Sequence, residues 1–374
     1  MRIAVVGNGP VGAAAARHLS ASGQQVVLIG PPEGAGYFAS HHDQGRLVRA
    51  LDHSPFWCRI KTASIARFRQ IESASGIRFF HETGGMMAGS RDGALMGEAD
   101  RVRQDMQVPV EVLDSAALAE RFPFFRFPKD FTGYHEATGA GWLNPRDLVR
   151  AEIAIARAQG AELLPDAATA LRQGAGGVEI ETRSGSLTVD HALLAAGAWS
   201  RSLIDEPLPV SVYARTVMFL RVSPDEAARL AGMPTLVMQD AMQREPYLMP
   251  PIRYPDGGLW LKIGGDPRDL PLAREELDDW FRSPGLAEVA AHLEALLGNL
   301  MPDLRIEATR TEACAVSFAP GDRPLIDRLS DRLTVATAGC ARGAKSGDEL
   351  GRLAAEAVLG RVDPECRQNA GRRA

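Results

Sequence analysis

The stretch that decides the fold stands at the start of the chain, where residues 3–12 read Ile-Ala-Val-Val-Gly-Asn-Gly-Pro-Val-Gly. The apolar run at 3–6 predicts a short buried strand, and the glycines after it predict a tight turn. Small residues at 13–22 then predict a helix that ends near Gly23, and residues 25–29 predict a second apolar strand. The sequence therefore predicts a strand–helix–strand unit of about 30 residues.

The turn in this unit has the spacing Gly-x-Gly-x-x-Gly. Gly7 permits the tight turn, Gly9 lets backbone amides approach a pyrophosphate, and Gly12 lets the helix and strand pack closely. The helix N-terminus that follows carries the positive end of the helix dipole, which favours an anion. We therefore predict that Gly7, Gly9, Pro10, Val11 and Gly12 form a dinucleotide site. The alternative is a glycine turn with a purely structural role.

One feature of the dinucleotide pattern is missing at the end of the second predicted strand. An Asp or Glu usually stands there and accepts hydrogen bonds from the ribose, but this chain has Ile29 followed by Gly30. Glu33 is a candidate replacement. The alternative is that affinity for the nucleotide comes from elsewhere in the site.

Length and charge narrow the class of protein. A chain of 374 residues predicts two domains, or one large domain with a second threaded through it. With 42 basic and 47 acidic residues, the net charge of -5 gives no electrostatic reason to expect nucleic acid. No run of 18 apolar residues predicts a membrane-spanning helix, so we expect no membrane association.

Cysteine and histidine positions exclude other chemistries. The four cysteines form no CxxC pair and are too scattered for a disulfide framework, which favours a reducing cytoplasm. Asn8 and Pro10 interrupt the apolar N-terminal run, so we do not expect export. The eight histidines show no metal-ligand spacing, and we predict no metal site.

Two later segments favour FAD over NAD. Residues 187–200 predict a strand, a turn, a second strand and a small-residue loop of the kind that FAD enzymes carry beneath the cofactor. Near the C-terminus, residues 324–327 precede a strand-like run at 333–339, and a helical pattern runs from about 347 to 359. A final strand that feeds a helix toward the flavin is typical of FAD folds. The loops predicted to contact the cofactor contain Ala196, Gly197, Trp199, Gly339 and Gly343.

The middle of the chain does not continue the strand–helix alternation. We therefore predict an α/β fold in which a Rossmann-like FAD-binding domain is interrupted by an inserted α+β substrate domain with a mixed or antiparallel sheet. Residues 259–263 are strand-like and 286–297 helical in this insertion. The predicted segments are 1–84, 145–216 and 308–374 for the FAD-binding domain, and 85–144 and 217–307 for the substrate domain.

Four patches of sequence point to a family. They are the glycine-rich turn at 7–12, the Ser-His-His segment at 40–49, Ala313-Cys314 followed by the strand at 324–327, and residues 343–345. Together they resemble the monomeric sarcosine oxidase and N-methyltryptophan oxidase family of D-amino-acid-oxidase-like flavoproteins, over nearly the whole chain. The resemblance implies FAD-dependent oxidation of the C–N bond in a carboxylate-bearing amine or amino or imino acid, with reduction of O2 to H2O2. We expect a cytoplasmic monomer.

The resemblance gives Cys314 a covalent role. Taken alone, a cysteine beside alanines is usually a small buried hydrophobe. In the family, the thiolate at this position attaches to the 8α carbon of the flavin. Such a tether would make cofactor retention independent of the missing acid at Gly30.

The Ser-His-His segment is expected to contact the cofactor. Ser40 and His41 are placed there without a specific role, and His42 and Arg46 match residues that pack against the flavin ring on the face away from substrate. The alternatives for His42 and Arg46 are an ion pair with Asp43 or plain solvation.

Four further residues are expected to act on substrate or oxygen. Lys262 resembles a lysine that stabilises superoxide beside the flavin, although a lysine in an apolar strand can also extend to solvent from a sheet edge. Arg49 and Lys345 resemble the two cations that bind the substrate carboxylate, although each alone could be a solvated or helix-start residue. Lys345 is also expected to contact the cofactor. Tyr247 matches an active-site tyrosine or is a core tyrosine.

Departures from the family pattern bear on the substrate. Asp266 replaces a histidine that follows the strand lysine, and residues 341–345 read Ala-Arg-Gly-Ala-Lys where the family has Gly-His-Gly-Phe-Lys. These changes predict a roomier, more polar site and a substrate larger than sarcosine. Alternatives are a dehydrogenase that passes electrons to a quinone or carrier protein, a biosynthetic oxidase of cyclic imino acids, and a flavin-bearing subunit of a larger complex.

Overall fold

The computed structural model describes residues 1–36, 38–239 and 244–367, and the elements below lie in those ranges. The strands are β1 (Arg2–Val6), β2 (Gln25–Ile29), β3 (Arg46–Val48), β4 (Phe80–Glu82), β5 (Gly85–Ser90), β6 (Glu111–Leu113), β7 (Phe131–Glu136), β8 (Gly141–Leu143), β9 (Glu162–Leu164), β10 (Ala168–Gly174), β11 (Gly177–Thr182), β12 (Ser186–Val189), β13 (His191–Leu194), β14 (Ser211–Val222), β15 (Thr235–Met238), β16 (Tyr247–Arg253), β17 (Leu259–Gly264), β18 (Leu270–Pro271), β19 (Ala308–Phe318), β20 (Leu325–Arg328) and β21 (Leu333–Thr337). The helices are α1 (Pro10–Ala21), α2 (Pro55–Ser75), α3 (Ala94–Asp105), α4 (Ser115–Arg121), α5 (Pro145–Ala158), α6 (Pro224–Arg229), α7 (Leu277–Arg282), α8 (Ala287–Leu300) and α9 (Gly347–Val358).

A six-stranded sheet has the order β20-β21-β13-β1-β2-β9. β1 pairs in parallel with both β2 and β13, and its residues 3–6 are buried because the sheet is covered on both faces. The predicted strand–helix–strand unit is confirmed: α1 begins at Pro10, directly after the glycine turn.

Helices α1 and α9 pack closely over this sheet because small residues line their contact. A Cβ added to Gly351 would lie 2.5 Å from the Cβ of Ala14, and one added to Gly347 would lie 2.7 Å from the Cβ of Pro10. The first turns of the two helices therefore touch each other.

A second sheet of nine strands has the order β18-β14-β17-β16-β15-β5-β7-β6, with β19 also paired to β14. All its pairs are antiparallel except β5 with β15, so the sheet is mixed, and helix α8 packs on it. The α/β fold with a dinucleotide-type sheet and a second mixed sheet is thus confirmed. Strand β17 lies between β14 and β16, which rules out the reading of Lys262 as a lysine at a sheet edge.

Two three-stranded sheets, β10-β11-β12 and β3-β8-β4, complete the fold. The nine-stranded sheet extends across two of the predicted domain boundaries, because β14 spans position 216 and β19 begins at 308. Within the described ranges, no helix is long and apolar enough to cross a membrane.

Candidate active site

A cavity of about 1310 Å³ lies at the carboxyl ends of β1, β2, β13 and β21 and extends to the nine-stranded sheet. Open α/β sheets bind ligands at this edge. Except for Gly12 and Lys262, every site residue predicted from the sequence is on the cavity wall: Gly7, Gly9, Pro10, Val11, Ser40, His41, His42, Arg46, Arg49, Ala196, Gly197, Trp199, Tyr247, Cys314, Gly339, Gly343 and Lys345.

The glycine turn forms a backbone cradle at one end of the cavity. Gly7 has φ +112°, and a side chain there would collide with the carbonyl of Ala195. A side chain at Gly12 would collide with the carbonyl of Gly7, so Gly12 supports the turn from behind. Gly9 directly precedes α1, and no side chain caps the first amides of this helix. A Cβ added to Gly9 would have no neighbouring atom closer than 3.5 Å, so the space beside it is open. Free amides at a helix N-terminus can bind a pyrophosphate.

The structure explains why no acid follows β2. A Cβ on Gly30 would overlap the side chain of Asn8, whose amide nitrogen donates a hydrogen bond of 2.9 Å to the carbonyl of Pro31. The Asn8 side chain thus occupies the space in which an acid would begin. Glu33 is instead paired with Arg150 at 2.7 Å.

Replacing Gly30 with Asp should destabilise the protein by about 1 to 3 kcal/mol, the usual cost of overpacking a filled site. The added side chain would meet Asn8 close to its backbone, where it cannot rotate away. Urea unfolding of the single variant and of the Asn8→Gly/Gly30→Asp double variant measures this effect. The double variant should recover most of the loss; a single variant as stable as the parent would contradict the steric explanation.

The Ser-His-His segment runs along the middle of the cavity. The Ser40 hydroxyl donates a hydrogen bond of 2.5 Å to the carbonyl of Ala315, next to Cys314. Burial, with His42 and Arg46 nearby, lowers the pKa of His41 to about 3. Burial also lowers the pKa of His42, so both imidazoles are neutral at pH 7.

Cys314 is half-buried on β19, opposite Arg215 of β14, and its side chain is on the cavity wall. The indole of Trp280 donates a hydrogen bond of 2.7 Å to its carbonyl, which fixes the backbone there. Arg46 and Lys262 are both within electrostatic reach of the thiol.

Lys262 lies behind the cavity wall and is only 1% exposed. Its ammonium donates to the Asp43 carboxylate at 2.6 Å and to the carbonyl of Gly45. Asp43 also pairs with Arg46, so the alternative of an Arg46–Asp43 ion pair is observed. Burial and the charge of Arg46 lower the pKa of Lys262 to about 8.

Tyr247 and Asp266 flank the same region of the wall. The Tyr247 ring lies over Gly264, and a Cβ added there would be 2.7 Å from the phenol oxygen. The centre of the same ring is 5.8 Å from the Lys262 ammonium. The Asp266 carboxylate accepts a hydrogen bond of 3.1 Å from the backbone amide of Thr216. Burial raises the pKa of Asp266 to about 6. Both groups can therefore contact a ligand in the cavity.

Four basic side chains, Arg49, Lys61, Arg342 and Lys345, lie close together at the far end of the cavity. Arg49 is 4% exposed, and its guanidinium donates a hydrogen bond to the carbonyl of Leu51. The guanidinium is 3.9 Å from the Glu245 carboxylate, and its Nε has no hydrogen-bond partner among the described residues. Burial and the nearby Lys61, Arg49 and Arg342 hold the pKa of Lys345 well below its usual value. This end can bind a carboxylate.

Acids offset much of this charge: Glu136 lies close to Lys61 and Arg49, and Asp322 pairs with Arg342 at 3.1 Å. Asp52 pairs with Lys61 at 2.9 Å and with Arg342 at 3.2 Å, so it is already shared between two cations. In the residues that the structure describes, Lys345 has no ion-pair partner. The loop that carries Lys345 is strained, since Ala338, Cys340 and Ala341 all have positive φ without being glycine.

Several residues of the site were missed from the sequence: Asp43 as the partner of Lys262, and Asp52, His53, Lys61 and Glu245 around Arg49. Asp43 stands inside the Ser-His-His segment, and Asp52 and His53 follow Arg49 by a few residues. Proximity to predicted site residues was the available signal for these three and for Glu245, which stands two positions before Tyr247. Lys61 carried none.

A dinucleotide cradle and a cation-rich end share one cavity at the carboxyl ends of parallel strands, which defines a dinucleotide-dependent enzyme. The family model described as FAD dependent oxidoreductase matches residues 2–357, and the chain belongs to this family. The open space at Gly9 and the uncapped amides of α1 fit the pyrophosphate of FAD. The protein is therefore an FAD-dependent oxidoreductase.

Individual relatives are similar over nearly their full lengths. The chain is 26% identical to a monomeric sarcosine oxidase from Streptomyces avermitilis, covering 96% of this chain and 93% of the relative. It is 27% identical to an N-methyl-L-tryptophan oxidase from Salmonella dublin, covering 96% and 94%. The structure of NikD, an unusual amino acid oxidase essential for nikkomycin biosynthesis, superposes with a TM-score of 0.79 at 21% identity, covering 97% and 94%.

Proposed function

We propose that this protein oxidises the C–N bond of a carboxylate-bearing secondary amine, or of an amino or imino acid larger than sarcosine, to an imine, with O2 reduced to H2O2. The observation that carries the proposal is that Arg49, whose Nε has no hydrogen-bond partner, and Lys345, which has no ion-pair partner among the described residues, line the same cavity as the dinucleotide cradle. The relatives named as sarcosine and N-methyltryptophan oxidases support the same reaction class.

The chain's own residues position the substrate. Arg49 binds the carboxylate through its planar guanidinium, and Lys345 adds a point charge once the bound carboxylate offsets the burial and the neighbouring cations that lower its pKa. A charged Lys345 in turn favours the neutral form of the substrate amine, because a nearby cation lowers an amine pKa. FAD held in the cradle at Gly7, Gly9 and Gly12 would supply the two-electron redox chemistry that couples oxidation of the amine to reduction of oxygen. Ala344 and Asp266 leave more room and polarity than a Phe and a His would, which favours larger substrates.

A panel of amines tests the proposal. Purified enzyme is mixed without oxygen with N-methyl amino acids, cyclic imino acids and free amino acids, and bleaching of the flavin absorbance is followed. Admission of oxygen should then give one H2O2 per imine formed. If none of the carboxylate-bearing amines bleaches the flavin, the proposal is wrong.

We also propose that Cys314 holds the flavin covalently. Acid denaturation should then leave the yellow colour in the protein pellet, and a digest should show the Cys314 peptide with the added mass of FAD. Cys314→Ala should release the colour to the supernatant. Cys340→Ala is the matched control, because Cys340 is also on the cavity wall; colour released from the parent protein would contradict the attachment.

A second candidate function is a dehydrogenase with a quinone or carrier protein as acceptor. The observation that favours it is the ion pair that Lys262 forms with Asp43 behind the cavity wall. Reduced enzyme that reacts faster with a soluble quinone than with air-saturating oxygen would support this alternative.

The division into an FAD-binding and a substrate domain, the monomeric state and the cytoplasmic location are also proposals. The few scattered cysteines support a reducing compartment. Size-exclusion chromatography with light scattering tests the monomer, and a single species of about twice the chain mass would contradict it.

A further inference from the structure

Asp43 is the centre of a buried polar cluster. Its Oδ2 receives the Lys262 ammonium at 2.6 Å and also pairs with Arg46. Its Oδ1 accepts hydrogen bonds from the Tyr254 hydroxyl at 2.9 Å and from the backbone amide of Gln44 at 2.6 Å. Asp43 is 8% exposed and Tyr254 6%. Four donors thus fix one carboxylate, which in turn fixes the position of the lysine.

The pair changes the charge that a ligand in the cavity experiences. An isolated ammonium acts at a distance as a full positive charge, whereas an ammonium 2.6 Å from a carboxylate acts nearly as a dipole, whose field falls off faster. The carboxylate is shared between Lys262 and Arg46, so the three groups together keep one net positive charge. The lysine is therefore present but partly compensated.

We propose that Asp43 is a positioning residue that holds Lys262 behind the cavity wall and restrains the reaction of the reduced enzyme with oxygen. The inference rests on the proposed oxidase function. Oxygen takes up two electrons and two protons to become H2O2, and the first electron produces an anion, superoxide. A compensated lysine stabilises that anion less than a free one would. Asp43 therefore sets how strongly oxygen competes with other acceptors.

Every charged or titratable group around Lys262 enters the pH dependence. Asp43 and Arg46 are the nearest, Tyr247 faces the ammonium from β16, Tyr254 donates to Asp43, and Cys314 and Glu312 face it from β19. Lys262 has a pKa of about 8, so oxygen reactivity of the parent enzyme should fall as the pH rises through 8 and the lysine loses its charge.

The test is Asp43→Asn, which keeps the shape of the side chain and removes its charge. Enzyme reduced with dithionite is mixed with oxygen in a stopped-flow instrument from pH 5.5 to 9.5, so the result does not depend on which amine is the substrate. Below the lysine pKa, the rate constant should rise roughly tenfold. The pH at which it falls should move below 8, because burial and Arg46 still lower the lysine pKa while its acidic partner is gone.

A readout without turnover accompanies the kinetics. The midpoint potential of the bound flavin should become more positive in Asp43→Asn, since a buried negative charge has been removed. Glu312→Gln is the matched control: Glu312 is within electrostatic reach of Lys262, but its side chain is 48% exposed and pairs with Arg310 at 3.3 Å, so solvent screens its charge and the rate and potential should stay near those of the parent.

The outcomes separate this inference from the proposed function. An unchanged oxygen rate, pH profile and potential in Asp43→Asn would overturn the role of Asp43, whatever the amine panel shows. An amine panel without any substrate would overturn the proposed function but leave the dithionite experiment interpretable. If Asp43→Asn does not accumulate as folded protein, Asp43→Ser provides the same loss of charge. The same increase in oxygen rate is then expected, and an unchanged rate, pH profile and potential would again overturn the inference.

Discussion

Replacing Arg49 with glutamine should lower kcat/KM for N-methyl amino acids by roughly a thousandfold, the effect of removing one partner of a buried charge pair. Arg49 is 4% exposed and its Nε has no partner among the described residues, so a bound carboxylate would complete its hydrogen bonds. Glutamine retains a donor but loses the charge and the second nitrogen of the fork.

The decisive control for Arg49→Gln is a substrate without a carboxylate. N-methyl-L-tryptophan and its decarboxylated analogue N-methyltryptamine should differ strongly in kcat/KM with the parent enzyme and only slightly with the variant. Urea unfolding of both proteins accounts for lost stability. Equal losses on both compounds would show that Arg49 supports the fold of the site and does not bind the carboxylate.

Lys262→Met should slow the reaction of the reduced enzyme with oxygen by roughly 10²- to 10³-fold, as expected when a preorganised charge is removed from the site of a developing anion. Anaerobic reduction by substrate should change by less than about threefold, because Lys262 is behind the cavity wall and has no contact with the carboxylate end. Stopped-flow measurement of the two half-reactions separates these effects.

The variant removes one of the two cations that pair with Asp43, so stability is a second consequence. The double variant Asp43→Asn/Lys262→Met also removes the acidic partner of Arg46, so its unfolding free energy should be no higher than that of Lys262→Met. Its oxygen rate should remain as low as that of Lys262→Met. A double variant that recovers the parent rate would show that structural damage, and not the lost charge, slowed the reaction.

The parts of the site that were predictable are contiguous in sequence. The glycine turn at 7–12 and the segment at 40–49 each contain several site residues within ten positions; spacing indicates the chemistry of the first, and the family resemblance implies that of the second. Strand β17 and helix α8 were recognisable from apolar patterns for the same local reason.

The missing parts depend on contacts between distant positions. Lys262 and Asp43 are 219 residues apart, and their pairing follows from the placement of β17 in the interior of its sheet, which no local pattern encodes. The absent acid at Gly30 is explained by Asn8 across the sheet edge, 23 residues before Pro31. Both contacts form only when the strands are arranged in three dimensions, because each contact joins two residues from separate segments of the chain.

The contact between the first turns of α1 and α9 limits how the substrate pocket can diverge. Lys345 lies two residues before Gly347, which touches Pro10 at the start of the dinucleotide helix. New substrate preferences can be selected through side chains at 341–344 without moving the cofactor cradle. Any side chain larger than hydrogen at Gly347 would collide with Pro10 at the start of the cradle, so evolution and laboratory selection share the same restricted set of variable positions in this loop.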